Sequence, residues 1–246
     1  MKKLLVVVTS VAMIVINLFA NIVPYNNQTT KDISDSFKVF FVPAGYVFAI
    51  WGVIYLGIIL FNVLLLSKQG NSKKLDKVLW AVVVSNIANS VWIFLWHYNY
   101  VSLSVVVMLV LLLSLIYVYL NLNVKKDLTK NEYLMAKVPF GIYLGWITVA
   151  TVANITVALY NLNWNGFGIE GQIWSTLLVI VAALLGIVML LRHRDVAYAL
   201  VIIWAVLGIA VNFSGVSPLN IVSFGSCLVL SFVVVYTVYK KFLRKA

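Results

Sequence analysis

Residues 40–66 read FFVPAGYVFAIWGVIYLGIILFNVLLL and carry no charged side chain. An uncharged apolar run of this length is long enough to cross a bilayer as a helix. It opens near Pro43, a residue tolerated in the first turn of a helix. On a helix, Phe48, Trp51, Tyr55 and Asn62 are spaced three, four and seven apart and share one face. A helix surrounded only by lipid has no use for a face of rings and an amide. The stretch is therefore expected to form a helix–helix seam or a pocket wall.

The rest of the chain agrees with a membrane reading. Of its residues, 63% are hydrophobic and 10% charged, and the mean hydropathy is +1.04. That composition specifies an all-α, polytopic membrane helical bundle. The net charge of +11 might suggest nucleic acid, but the basic residues sit in short clusters between apolar spans, so no nucleic-acid partner is expected. The single cysteine, Cys227, excludes an internal disulfide and falls mid-span. His97 and His193 are far apart at span ends, so no metal site is expected.

About eight transmembrane spans can be drawn: residues 4–22, 42–66, 78–96, 101–122, 133–160, 173–191, 196–211 and 219–239. The first follows Met1, Lys2 and Lys3 and is expected to be a retained helix, since Leu18 and Ala20 make a poor cleavage site. Orientation follows from the basic residues. Lys2 and Lys3, then Lys68, Lys73, Lys74 and Lys77, fall on one side. So do Lys125, Lys126, Lys130 and Lys137, then Arg192 and Arg194, and Lys240, Lys241, Arg244 and Lys245. Of the 18 basic residues, this leaves only Lys31 and Lys38 on the other side. Both termini are expected to be cytoplasmic in a multi-pass cell-membrane protein. The longest outer loop, residues 24–38, reads either as a lid over an outward-facing pocket or as a solvated connector.

Two more spans carry polar and aromatic faces. On the third, Ser85, Asn89, Trp92 and Trp96 form one stripe; on the fifth, Tyr143, Trp146, Ala150, Asn154 and Asn161 fall near one face. An amide in hydrocarbon needs a partner, so these asparagines should face other helices or a cavity. Each could simply glue helices together. Amides repeated on three helices beside tryptophans equally describe a pocket for a flat apolar ligand. Trp80, Trp164 and Trp174 lie near span ends as interfacial anchors, whereas the central Trp204 fits either packing or a pocket.

These motifs carry a family resemblance. Pro43 to Trp51, followed by Tyr55, resembles the P-x-W-V-F…W-x-x-x-Y signature of the TspO/MBR family of tryptophan-rich sensory proteins, which includes the mitochondrial translocator protein. Asn89–Trp92 is similar to that family's L-N-x-x-W. Tyr143–Trp146 with Ala150, Thr151, Asn154 and Asn161 resembles its P-Y-x-x-W…F-A-T-x-L-N…N, with Ile142 where the motif has proline. The resemblance covers residues 1–163 as a five-helix core and leaves residues 164–246 as a three-helix extension, the pattern of a longer bacterial branch.

The resemblance implies a pocket, roofed by the first loop, for a tetrapyrrole such as a porphyrin or another flat hydrophobic molecule. By motif position, Trp51 and Trp146 would line it, with Tyr55, Asn89, Trp92, Tyr143 and Asn154 nearby. It implies no built-in cofactor, and a homodimer. The favoured expectation is a ligand-binding membrane sensor or regulator rather than an enzyme. The alternatives are a transporter of a small hydrophobic or tetrapyrrole solute and a light-dependent porphyrin-degrading enzyme acting through Trp51 and Trp146. The spans show no acid–base pair, nucleophile or metal set to support catalysis.

Overall fold

A computed structural model describes residues 1–123 and 128–243, with side chains as far as residue 240. Of the basic residues counted above, Lys125, Lys126, Lys241, Arg244 and Lys245 lie outside the described side chains. Among the described residues the chain is helical, with no strand.

The helices are α1 (Lys2–Ile22), α2 (Thr30–Ser36), α3 (Ile50–Leu66), α4 (Lys73–His97), α5 (Val101–Asn123), α6 (Lys130–Asn161), α7 (Gly171–His193), α8 (Val196–Asn212) and α9 (Leu219–Leu243). Among the described residues, seven are long and apolar enough to cross a membrane, α3 only when the 3₁₀ turn before it is counted with it as Gly45–Leu66. The two exceptions are α2, in the outer loop, and α8, which at 17 residues is about 25 Å long against a hydrocarbon core of about 30 Å. The eighth expected span is thus a helix, but a short one. Its neighbours compensate: Ala199, Ile202, Ala205, Val206, Ile209 and Ala210 are wholly buried. The bundle's outer face is apolar instead, with Leu113, Leu200, Leu228 and Phe232 among many exposed side chains, as contact with lipid requires.

Local chemistry sets the boundaries. Pro43 does not open α3: a 3₁₀ turn over Gly45–Ala49 intervenes, and α3 starts at Ile50. Ser72 caps α4 by accepting from the Lys74 amide. Asn99 and Asn163, after α4 and α6, adopt left-handed backbone, which asparagine tolerates. The outer loop is ordered, with Thr29 and Asp32 forming a reciprocal capping box on α2. A π turn over Tyr133–Lys137 lies within α6.

In the core, α4 packs between α1 and α5, α5 on α6, and α3 against α1 and α6. Gly57 lets α3 approach Pro139 of α6 so closely that a Cβ there would lie 2.8 Å from the proline ring. In the extension, α8 packs on α6, while α7 and α9 pack on α8 and on each other. The short helix therefore joins the extension to the core.

Candidate functional site

Three helices and the outer loop converge on a cage of indoles. Trp51 of α3, Trp92 and Trp96 of α4 and Trp146 of α6 line one small cavity together with Phe48, Asn154 and, from above, Thr30 and Ser34 of α2. Trp51 and Trp146 meet edge-to-face with centroids 6.2 Å apart, and Phe48 meets Trp146 at 5.9 Å. Trp92 stacks on Trp96 at 5.7 Å. All four indoles are buried. The cavity measures about 50 Å³, against roughly 300–1,000 Å³ for sites that hold drug-sized ligands. The cage is closed.

The seven residues picked out by sequence divide into two sets. Trp51, Trp92, Trp146 and Asn154 line the cavity. Tyr55, Asn89 and Tyr143 lie outside the lining: Tyr55 stacks on Trp51 at 5.8 Å, and Tyr143 meets Trp51 at 6.2 Å. Asn89 donates to the Tyr143 hydroxyl at 2.8 Å and accepts from Asn17 of α1 at 2.7 Å. Asn154 accepts from the Trp92 indole at 3.0 Å and donates to Ser104 at 2.9 Å. Both amides thus join helices, the bland alternative for a membrane asparagine. Asn161, the last residue of α6, is exposed. Asn62 is buried with its carbonyl oxygen unpartnered.

One polar atom in the cage has no such duty. The Trp146 indole nitrogen is buried and has no hydrogen-bond partner among the described residues. The Trp92, Trp96, Trp174 and Trp204 indoles all donate to an oxygen. Leaving a buried donor unpaired costs about 1–3 kcal/mol, so the Trp146 N–H is a polar group that the folded chain leaves unused.

The outer loop is a fastened lid. His97 receives Thr30 of α2 on one ring nitrogen and the Tyr25 carbonyl on the other, both at 3.2 Å. The carbonyl can only accept, so Nδ1 carries the proton and Nε2 accepts the threonine hydroxyl. Asn26 donates to the His97 carbonyl, and Trp96 donates to the Thr30 carbonyl at 3.3 Å. Sequence reading left His97 at a span end without a role. Its neighbours are brought together only by the fold.

The turn that carries the signature is held from the other side by the extension. Gly208 of α8 accepts from the Ala44 amide at 3.0 Å. Trp204 donates to the Val47 carbonyl at 3.0 Å, and Asn212 donates to the Val42 carbonyl at 3.0 Å. The open question about Trp204 is answered: it packs as a clamp. At the opposite end of α8, the buried Asp195 accepts from Tyr119 of α5 at 2.7 Å and caps α8 through the Tyr198 amide at 3.0 Å.

No group of three or more His, Cys, Asp or Glu side chains able to hold a metal occurs among the described residues. No curated protein and no solved structure matches the chain. A family model described as TSPO-like protein matches residues 3–239, extending through the three C-terminal spans as well as the core. With that match over nearly the whole chain, beside an indole cage built from the signature helices, the protein belongs to the TSPO-like family of membrane proteins.

Proposed function

We propose that the protein is a membrane sensor or regulator that binds a flat hydrophobic ligand, a tetrapyrrole such as a porphyrin, in the cage between α3, α4 and α6. The observation that carries this reading is the unpartnered Trp146 N–H inside an aromatic enclosure. A flat ring system stacks on indole faces, and a carboxylate at its edge would accept a hydrogen bond from the Trp146 N–H. The closed cavity belongs to the empty state, and entry requires α2 to lift from His97 and Trp96. Lid movement thereby couples occupancy to the outer surface. In this reading the basic helix ends and both termini face the cytoplasm.

Titration with protoporphyrin in detergent, followed by tryptophan quenching, tests the proposal. Saturable micromolar quenching, lost in Trp51→Phe/Trp146→Phe, is the expected result. Non-saturable quenching, or quenching indifferent to the double variant, contradicts it. Illuminating the same samples examines the light-dependent alternative, which rests on the Trp51–Trp146 contact. Porphyrin bleaching no faster with wild type than with Trp51→Phe would eliminate that alternative.

A further inference from the structure

A cavity of about 500 Å³ lies outside the cage, between the C-terminal half of α6 and the start of α7. These helices diverge here because α7 packs on α8 and α9 rather than on α6. The walls of the resulting trough are aliphatic. Val152, Ile155 and Leu159 follow one face of α6, and Ile169 and Leu178 line the other side. From Val152 to Leu159 the trough runs about 10 Å along the helix, roughly two thirds of the hydrocarbon of one leaflet.

The rim has a different chemistry. Tyr160, Trp164 and Trp174 gather at the helix ends, where amphipathic rings mark the membrane–water boundary. The two indoles meet at 5.4 Å, and Trp174 donates to the Gly166 carbonyl at 2.9 Å. Lys38 stands at the mouth, exposed and without an ion pair among the described residues. Of the other charges of this end, Lys31 pairs with Asp35 and Asp32 closes the capping box on α2, whereas Glu170 keeps its negative charge and accepts only a hydrogen bond from Gln172.

We propose that this groove binds a single acyl chain bearing an anionic head group. The chain would lie along the aliphatic walls, the head group against the Lys38 ammonium, and the indoles at the boundary between them. An extended aliphatic trough with one cation at its open end is complementary to such an amphiphile and offers a neutral one no charge at the rim, only the polar edges of Tyr160, Trp164 and Asn165. The site is built jointly by the core and the extension, and does not depend on what the cage binds.

The test uses 4,5-dibromostearate, whose bromines lie near the rim, in phosphatidylcholine nanodiscs, at a pH where the acid is ionised, with its methyl ester as the neutral match. Bromine quenches indoles by contact. The difference between wild type and Trp164→Phe/Trp174→Phe isolates the two rim tryptophans from the other six. The acid should quench them saturably, the ester only at about fivefold higher mole fraction, the difference one cation makes near a membrane surface. Lys38→Gln, at an exposed position, should bring the acid to the ester's profile. Thr156→Phe, which fills the trough, should remove the saturable component for both, while protoporphyrin still quenches the cage indoles. Equal quenching by acid and ester, or curves unchanged by Lys38→Gln, overturns the proposal. A saturable component that survives Thr156→Phe does so too.

Discussion

The core and the extension are bundles of the same material held together in different ways. Between α1, α4, α5 and α6 the fasteners are side-chain amides: Asn17 to Asn89 to Tyr143, Asn86 to Thr9 and Ser10, and Trp92 to Asn154 to Ser104. The extension instead buries small residues, Ala182, Ala183 and Gly186 on α7 and Ala199 and Ala205 on α8. It grips the core at its two ends, through Asp195 and through backbone groups of the signature turn. The difference teaches where freedom remains. Amides already committed to each other fix the walls of the cage, leaving the lid and the turn beneath α8 as the parts that can move.

The largest effect should come from breaking the extension's grip. A side chain at Gly208 would collide with Val47 and crowd Pro43. Gly208→Leu is therefore expected to cost about 1–3 kcal/mol. In detergent unfolding followed by tryptophan fluorescence, it should also separate one transition into two, with the extension melting first. A single unshifted transition would show that the two halves are not joined through this contact.

The core network gives a smaller loss. Asn89→Leu strips Tyr143 of its donor and Asn17 of one acceptor, although Asn17 keeps its bond to the Met13 carbonyl. Membrane hydrogen bonds of this kind average about 0.6 kcal/mol and reach about 1.7 kcal/mol. The expected loss is about 1–2 kcal/mol, with α1 loosened from α4 and the extension unaffected. Equal loosening of α8 would erase the contrast.

These two tests also mark what could be read from the chain alone. The helical class, the span order and the three separate helix faces carrying Trp51, Trp92 and Trp146 were legible, because hydrophobic run length and helical periodicity are local properties. Asn89 and Asn154 looked alike in sequence beside the tryptophans, yet neither is left free for a ligand. Which partner an amide meets depends on a neighbouring helix, and Asn17, the partner of Asn89, gave no signal of its own. The lid contact of His97 with Thr30, 67 residues apart, and the hold of Trp204 on Val47 were invisible for the same reason.

Two finer predictions sharpen the contrast between fixed wall and movable cover. Trp204→Phe removes one hydrogen bond to the Val47 carbonyl, worth about 0.5–1.5 kcal/mol. Faster amide exchange should be confined to Gly45–Ala49; exchange unchanged there would mean the turn is held without Trp204. The smallest effect concerns the lid. Thr29→Ala removes the cap of α2 at about 1 kcal/mol, seen as faster exchange over Thr30–Ser36. The bonds from the Thr29 side chain and backbone hold the Asp32 carboxyl below its ordinary range. A depressed carboxylate stabilises above its ordinary value and loses that contribution as pH falls through the lowered one. The lid helix should therefore fray only in acid, and fraying that grows toward alkaline pH would contradict this cap.

The most direct test reads the indole protons themselves. In ¹⁵N-tryptophan-labelled protein, each indole N–H gives one resonance, assignable by single Trp→Phe variants. In the empty protein, the Trp146 signal should lie where unbonded indoles lie, apart from those of Trp92, Trp96, Trp174 and Trp204. On addition of protoporphyrin it should move toward the bonded range, while Trp92, held by Asn154, stays in place. A Trp146 resonance that remains fixed through saturation, or that is already bonded without ligand, would contradict the assignment of the cage as the binding site.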